Sequence, residues 1–248
     1  MAAPAHSAAP GRHVLIEICV EDLGGVDAAV QGGADRLEIC ADVSTGGLTP
    51  SDALVDHAVA AAPPSGVQVL IRPRAGDFVY TPEEVAAMAA DIARMRTLWP
   101  GGPLGFVVGA LTVDGHVDVT AASALRDAAG PAPLTFHRGI DATPDPVAAM
   151  QVLAGMGYDR VLTTGGHASV ADVDGLRRMV DAGGEQLTVI GSGGLRAHNV
   201  AQVVHDAHLT EVHMRAPSAR VALSDAAAPL GESTTDRAEV ERIVAALA

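Results

Sequence analysis

Two short strings of the sequence each carry a glutamate two positions before a cysteine. Glu17 and Cys19 form the first pair, and Glu38 and Cys40 form the second. Both strings are apolar and contain β-branched residues, which predicts β-strands whose alternate side chains share one face. A carboxyl can move protons as a general acid or base, and two neighbouring thiolates are soft ligands that suit Cu(I). The alternative for the cysteines is a pair of small, buried, reduced hydrophobic side chains.

Guanidinium groups follow the third apolar run of the chain. Arg72 and Arg74 are predicted to share a face, and the loop after them carries Asp77. Because a guanidinium binds carboxylates and phosphates through paired hydrogen bonds, Arg72 is a candidate for binding a small anion. A buried charge is costly unless it is paired, so Glu17, Glu38 and Arg72 are expected to converge at one partly enclosed site. The alternative is a structural cluster of ion pairs that fills the interior.

Polar residues also stand near the ends of the fifth to eighth apolar runs. They are His137, Arg138, Thr163, Ser192 and His213. Histidine titrates near neutral pH, so His137 and His213 are candidates for proton transfer beside the glutamates. Ser192 lies in the string Gly191–Gly194, where glycines leave backbone N–H groups free to face an anion. Gly193 is therefore a further candidate for anion binding, although a tight turn alone would also require glycine.

The composition excludes several kinds of function. The chain has no lysine, since all 16 of its Lys or Arg residues are arginine. A Schiff base with a carbonyl substrate or with pyridoxal phosphate is therefore excluded, and so is a Walker A phosphate loop. A formal net charge of -14 opposes binding to nucleic acid or to an anionic membrane surface. Two cysteines without a Cys-x-x-Cys spacing indicate neither a disulfide framework nor a structural zinc site.

Strand-like and helix-like segments alternate along the sequence. The strand-like runs are 14–20, 36–42, 67–73, 105–111, 133–139, 160–166, 187–193 and 211–216. The helix-like segments are 23–32, 51–62, 82–99, 119–129, 145–156, 172–183, 197–207 and 234–247. Near-continuous apolar strands between helices indicate a parallel sheet, and eight such units predict a single (β/α)8 TIM barrel. The alternative is an open, doubly wound sheet. In a barrel, functional residues lie at the carboxyl ends of the strands.

The length suits one barrel domain over 13–248, preceded by a disordered tail over 1–12. Two long loops are predicted, over 74–81 and 217–233, and the second is either a mobile lid or disordered. The first residues lack the apolar stretch of a signal peptide, and no run of about 18 apolar residues predicts a membrane span. We therefore expect a cytoplasmic protein.

Several strings occur together in the order found in one known family. They are LIEIC (Leu15–Cys19), GADRLEIC (Gly33–Cys40), GGLTPS (Gly46–Ser51), IRPRAGDF (Ile71–Phe78), FHR (Phe136–Arg138), VLTTG (Val161–Gly165) and EVH (Glu211–His213). On these strings the sequence resembles the CutC family of copper homeostasis proteins, which have a TIM-barrel fold. The resemblance extends from residue 15 to residue 213.

The resemblance implies a cytoplasmic homo-oligomer, a dimer or a tetramer, that helps the cell to tolerate or distribute copper. It also implies that Cys19 and Cys40 are the Cu(I) ligands. The polar residues of the family correspond to Glu17, Glu38, Arg72, Arg74, Asp77, His137, Arg138 and His213.

Three hypotheses for function follow, and the third is a scaffold barrel whose only role is association. In the first, a copper homeostasis protein of the CutC type binds Cu(I) through Cys19 and Cys40 at the mouth of the barrel. In the second, an enzyme acts on a small anionic or phosphorylated metabolite, with Glu17, Glu38 and His137 as candidates for acid–base catalysis. The candidates for binding that anion are Arg72, Arg74, Asp77, Arg138, Thr163, Ser192, Gly193 and His213. The sequence leaves open whether the protein is an enzyme.

Overall fold

The computed structural model of the chain describes residues 13–166, 170–217 and 235–248. Strands and helices alternate through these ranges. The strands are β1 (Leu15–Val20), β2 (Arg36–Ile39), β3 (Val67–Leu70), β4 (Leu104–Val108), β5 (Leu134–Phe136), β6 (Arg160–Thr163), β7 (Thr188–Gly191) and β8 (Glu211–Met214). The helices are α1 (Leu23–Gln31), α2 (Asp52–Ala60), α3 (Pro82–Leu98), α4 (Val119–Ala129), α5 (Pro146–Gly155), α6 (Val173–Gly183), α7 (Val200–Ala207) and α8 (Arg237–Ala246). Short 3-10 helices cover Val43–Thr45 and Arg138–Ala142.

The strands form a closed parallel barrel in chain order, and β1 completes it by pairing with both β2 and β8. The strand side chains are almost all buried, because helices cover the outer face and the other strands close the inner face. Ile18, Leu37 and Val69 lie among the aliphatic side chains that make up most of the core. The prediction of a single TIM barrel is confirmed.

Capping side chains determine where the helices begin and where the preceding loops end. Thr81 accepts a hydrogen bond from the backbone N–H of Glu84, whose carboxylate accepts one from the N–H of Thr81. With Pro82 in the first turn, this capping box begins α3. Side-chain oxygens of Asp22 and Ser51 accept hydrogen bonds from the first turns of α1 and α2. These local signals are all present in the sequence.

The register of β1 arranges the polar interior in layers. Glu17 lies beside Arg36 on β2 and beside His213 on β8. Cys19 is one step nearer the carboxyl ends of the strands and lies beside Glu38. Because alternate side chains of a strand point to the same face, Glu17 and Cys19 both point into the barrel. A charged layer therefore lies beneath the layer that contains the cysteines.

Strand β3 ends at Leu70, although the apolar run extends to residue 73. Pro73 has no N–H to donate to a neighbouring strand. The backbone of Arg72 bonds instead to Thr49, in the loop that follows β2. Arg74 consequently lies in a loop, and the prediction that it shares a strand face with Arg72 is wrong.

Part of the sequence prediction concerns residues that the structure does not describe. The predicted tail over 1–12 is one such segment. The predicted lid over 217–233 is another, apart from Pro217, which pairs with Thr235. No helix in the described ranges is long and apolar enough to cross a membrane.

Candidate functional site

A cavity of about 310 Å³ opens at the carboxyl ends of the strands. Its volume is at the lower end of the range for small-molecule sites, about 300–1,000 Å³, and its position is the one where TIM barrels bind their ligands. The predicted site residues that line it are Cys19, Glu38, Cys40, Arg72, His137, Arg138, Ser192, Gly193 and His213. These are nine of the thirteen predicted site residues, and Glu17, Arg74, Asp77 and Thr163 do not line the cavity. The expected convergence of Glu17 with Glu38 and Arg72 at the mouth is therefore wrong for Glu17.

Cys19 and Cys40 lie side by side in the cavity wall, with 3.6 Å between their Sγ atoms. Both are buried and neither forms a disulfide. Their mutual hydrogen bond and their burial raise the pKa of the Cys19 thiol. The Cys40 thiol also lies 3.8 Å from the carbonyl oxygen of Val20. Neighbouring strands thus hold two soft sulfur atoms at one point of the cavity.

Glu38 and His213 form a group of candidate metal ligands with Cys19. One ligand atom from each of these three residues lies within 4.8 Å of the others. Burial raises the pKa of Glu38 to about 7, so this carboxyl can exchange a proton near neutral pH. Burial disfavours the His213 imidazolium, but the adjacent carboxyls and Cys19 raise its pKa well above the usual range. The group therefore combines a thiol, a carboxyl and an imidazolium.

Glu17 lies below the cavity and is sealed from it. Its carboxylate accepts hydrogen bonds from Nε of Arg36 and from Nδ1 of His213, the latter at 2.7 Å. Only 1% of Glu17 is exposed. Burial alone would raise the pKa of Glu17, but Arg36 and His213 lower it to about 2. Of the two predicted acid–base carboxyls, the structure places Glu38 in the cavity and Glu17 in a buried ion pair.

A chain of buried and half-buried charges continues from Glu17 towards the amino ends of the strands. Arg36 also donates to Glu211 at 2.6 Å, and Nε of Arg160 lies 3.4 Å from the same carboxylate. Arg160 and Glu211 line a second cavity, of about 430 Å³, at that end of the barrel. Arg36 was not among the predicted site residues, although it stands two residues before Glu38 and so shares its face.

Arg72 is buried at the rim of the cavity and is held by the backbone. Its Nη atoms donate to the carbonyl oxygens of Thr45, Gly47 and Gly76. Its guanidinium lies 5.1 Å from the centre of the Phe78 ring. Arg72 does not pair with either predicted glutamate, because the loops after β2 and β3 enclose its guanidinium. The expected ion pair is instead made by Arg36.

His137 lies in the cavity wall as a neutral imidazole. Its Nδ1 accepts a hydrogen bond from the backbone N–H of Gly139 at 3.0 Å. Its ring centre is 4.5 Å from that of Phe78. Burial and the charge of Arg72 lower the pKa of His137 to about 3. Since Nδ1 accepts, the proton of the neutral ring is on Nε2, and His137 presents a donor rather than a base.

Arg74 and Asp77 lie outside the cavity, contrary to the prediction. Arg74 pairs with Glu84 at 2.6 Å and with Asp77 at 3.1 Å in the loop before α3. Side-chain exposure is 37% for Arg74 and 69% for Asp77. Arg74 and Asp77 pair with each other, and Arg74 also pairs with Glu84 in the first turn of α3. These pairs hold both side chains on the loop, away from the mouth of the barrel.

Thr163 also lies outside the cavity. Its hydroxyl donates to Asp141 and lies 3.5 Å from the sulfur of Met179 on α6. Leu162 lines the cavity, and successive strand residues point to opposite faces, so Thr163 faces the helices. Conversely, Arg196 and Arg215 line the cavity although the sequence analysis did not select them.

Comparison with known proteins identifies the family of the chain. The model of the CutC family matches residues 14–218. The chain belongs to the CutC family. A CutC family protein of Rhizobium meliloti is 38% identical over 210 residues, which cover 84% of each chain. The human copper homeostasis protein cutC homolog is 37% identical over 218 residues, which cover 88% of this chain and 78% of the human protein.

Solved structures agree with membership of the CutC family. A CutC structure from Streptococcus agalactiae has a TM-score of 0.74 at 28% identity, covering 81% of this chain and 97% of that chain. An N-(5'-phosphoribosyl)anthranilate isomerase from Pyrococcus furiosus has a TM-score of 0.55 at 16% identity, covering 95% of this chain and 98% of that chain. The second likeness shows the barrel fold alone.

Proposed function

We propose that this member of the CutC family binds Cu(I) at the mouth of its barrel and serves copper homeostasis in the cytoplasm. The observation that carries the proposal is the pair of buried thiols, Cys19 and Cys40, whose Sγ atoms are 3.6 Å apart beside the cavity. Thiolates are soft ligands, and soft ligands select Cu(I). The name of the human relative, a copper homeostasis protein, supports the same function.

The separation of the sulfur atoms favours a bent arrangement with room for a third ligand. With the zinc–thiolate bond of about 2.3 Å as a guide, a straight S–metal–S unit would separate the sulfurs by about 4.6 Å. The observed separation is 3.6 Å. On losing its proton to the ion, His213 offers a ring nitrogen within 4.8 Å of the Cys19 sulfur, and neutral imidazole is a ligand that suits copper. The proposed ligand set is therefore Cys19, Cys40 and His213, with Glu38 beside them.

Competition against a Cu(I) chelator under anaerobic, reducing conditions tests the ligand assignment. We expect about one Cu(I) per chain. The double variant Cys19→Ser, Cys40→Ser should lose this binding while its thermal stability stays near that of the wild type, because serine is of similar size. His205→Ala, a change at an exposed histidine, is the control and should bind as the wild type does. Retention of tight Cu(I) binding by the double variant would refute the assignment.

A second candidate function is acid–base catalysis on a small anion, and the position of Glu38 favours it. This carboxyl lines the cavity, and its pKa of about 7 suits a group that accepts and returns a proton. The test is solvent exchange in D2O with small carboxylates and sugar phosphates, followed by NMR. Deuterium should enter the substrate with the wild type and not with Glu38→Gln. Absence of exchange across the set would count against an enzyme.

The proposal includes a homo-oligomer, a dimer or a tetramer, as the resemblance implies. Light scattering after gel filtration measures this directly. A monomer at micromolar concentration would contradict that part of the proposal, and recovery of the protein outside the cytoplasmic fraction of its cell would contradict the location.

A further inference from the structure

Arginine is concentrated around the cavity of an otherwise acidic chain. The chain has a formal net charge of -14, yet the described lining of the cavity contains four arginines and one carboxyl, that of Glu38. The arginines are Arg72, Arg138, Arg196 and Arg215. Arg138 pairs with Asp141 and Arg215 lies 3.8 Å from a Glu21 oxygen, whereas Arg72 and Arg196 have no carboxylate partner among the described residues. Two cations without a carboxylate partner attract an anion, and the copper proposal alone leaves Arg72 and Arg196 without a role.

Arg72 is the buried member of this group, with 5% of its surface exposed. No carboxylate among the described residues pairs with it, since its Nη atoms donate to the backbone carbonyl oxygens of the surrounding loops. Its Nε also has no acceptor in the described part of the chain. Carbonyl oxygens satisfy N–H groups but do not neutralise a charge. A buried cation of this kind is costly unless an anion joins it.

His137 contributes a second donor without an acceptor. It is 5% exposed and lines the same cavity. Because Nδ1 accepts from Gly139, the ring proton is on Nε2, and Nε2 has no partner within the described ranges. Arg72 and His137 are linked through Phe78, which contacts both. A cation and a neutral donor therefore share one wall of the cavity.

The turn after β7 adds backbone donors to the lining. Gly193 and Gly194 have φ values of 100° and 66°, a conformation that favours glycine. Neither of their N–H groups meets an acceptor among the residues that the structure describes. Successive backbone N–H groups in such turns form sites that attract anions. The polar lining therefore includes donors from a side-chain cation, a ring and a turn.

We propose that the cavity binds a small organic oxyanion, a carboxylate or a phosphate ester, through Arg72, His137 and the Gly193–Gly194 turn. The anion would lie beside the proposed copper ligands, because Arg72 donates to the carbonyl oxygen of Gly47 and Gly47 packs against Cys40. This site goes beyond the copper proposal, since it uses other residues and requires no metal. It requires no catalytic step, so it can hold where the enzyme candidate fails; failure of oxyanion binding would remove the substrate site of the enzyme candidate as well.

Thermal stability of the reduced, copper-free protein tests the proposal. Sodium phosphate and sodium acetate are titrated separately, each against sodium chloride of equal ionic strength. A ligand that binds only the folded state raises the melting temperature as its concentration exceeds Kd. We expect a rise with at least one of the two oxyanions and none with chloride. Phosphate as the better ligand indicates a phosphate ester, and acetate as the better ligand indicates a carboxylate.

Three variants locate the binding. Arg72→Gln should weaken oxyanion binding about tenfold or more, because it removes charge-assisted hydrogen bonds. His137→Asn removes the Nε2 donor and keeps an acceptor for Gly139, so it should weaken binding less. Arg196→Gln provides a further test should Arg72→Gln fail to fold, because Arg196 also lines the cavity and its side chain donates to the carbonyl oxygen of Leu195 in its own loop.

Arg74→Gln is the matched control, since Arg74 stands two residues from Arg72 but outside the cavity. It should bind oxyanions as the wild type does. The proposal is overturned if neither oxyanion stabilises the wild type beyond chloride, or if Arg72→Gln and Arg196→Gln both bind with unchanged Kd. Loss of Cu(I) binding in the cysteine variants has no bearing on this result, so the two proposals fail separately.

Discussion

The two glutamates of the barrel interior differ in ionisation because their neighbours differ. Glu17 contacts a guanidinium and an imidazole, which lower its pKa to about 2, whereas burial raises the pKa of Glu38 to about 7. Both residues stand two positions before a cysteine, so strand parity predicts that both face inward. Parity does not predict which carboxyl meets Arg36, because that depends on the register between β1 and β2. The sequence therefore could not show that Glu38, and not Glu17, is the carboxyl that lines the cavity.

The ring of His137 makes stability depend on pH. Its folded pKa is lowered to about 3, against about 6.5 for a free histidine. Between these pH values the unfolded state binds a proton that the folded state does not. The contribution of His137 to the free energy of unfolding is therefore complete above about pH 6.5 and decreases as the pH falls. By pH 5 the wild type should lose about 2 kcal/mol through this residue. In His137→Asn this loss should be absent.

Urea unfolding at pH 7.5 and pH 5 measures the difference between the two proteins. His116→Asn, at an exposed histidine, should keep the pH dependence of the wild type. An identical pH dependence in wild type and His137→Asn would show that the ring is not held neutral by its surroundings.

The loops after β2 and β3 act together to shape the cavity. Arg72 joins them, since it donates to Thr45 and Gly47 in one loop and to Gly76 in the other. The apolar runs predicted the strands that carry these loops. They did not predict where β3 ends, because the end depends on Pro73 and on pairing with Thr49, a residue far away in sequence. Arg74 was misplaced for the same reason.

Gly47 is the position where these loops approach the cysteines. It has a φ of 89°, and a Cβ there would lie 2.7 Å from Cδ2 of Leu70 and 3.5 Å from Cβ of Cys40. Gly47→Ala should therefore lower the free energy of unfolding by about 2–4 kcal/mol through strain and crowding together. It should also weaken Cu(I) binding, because Leu70, which packs in one cluster with Cys19 and Cys40, must shift.

Gly101→Ala separates backbone strain from side-chain crowding as causes of the lost stability. Gly101 has a φ of 69°, but a Cβ there would meet nothing within 4 Å. It should lower stability by about 1–2 kcal/mol through backbone strain alone and leave Cu(I) binding unchanged. Denaturant unfolding and chelator competition on both variants are the measurements. Equal losses of stability in the two variants would contradict the crowding against Leu70.

A chain of ion pairs runs from the barrel interior to the amino ends of the strands. Glu17, Arg36, Glu211 and Arg160 come from β1, β2, β8 and β6, so the chain of ion pairs spans the point where the barrel closes. The repeating strands, helices and family strings were enough to predict the closed barrel. An ion-pair cluster in the interior was one of the two alternatives for Glu17, but its partners Arg36, Glu211 and Arg160 were not predicted, because each is the first residue of its strand, far from the carboxyl ends where functional residues are expected.

Removing one charge from this chain should destabilise the whole molecule. Glu17→Gln leaves the fully buried Arg36 with one carboxylate partner among the described residues. Breaking a buried ion pair in this way costs about 3–5 kcal/mol. Glu185→Gln, at an exposed carboxylate, should change stability by less than about 0.5 kcal/mol. Chemical denaturation of both variants checks this, and a loss below 1 kcal/mol in Glu17→Gln would contradict the role given to the chain.

The central claim is that two thiolates from adjacent strands hold one Cu(I) ion at the carboxyl end of the barrel. X-ray absorption at the copper edge, on the protein loaded with one equivalent of Cu(I), reports the ligand atoms directly. We predict two sulfur scatterers and one nitrogen or oxygen scatterer, with the sulfur signal lost in the double variant Cys19→Ser, Cys40→Ser. A wild-type spectrum without sulfur ligands would contradict the claim.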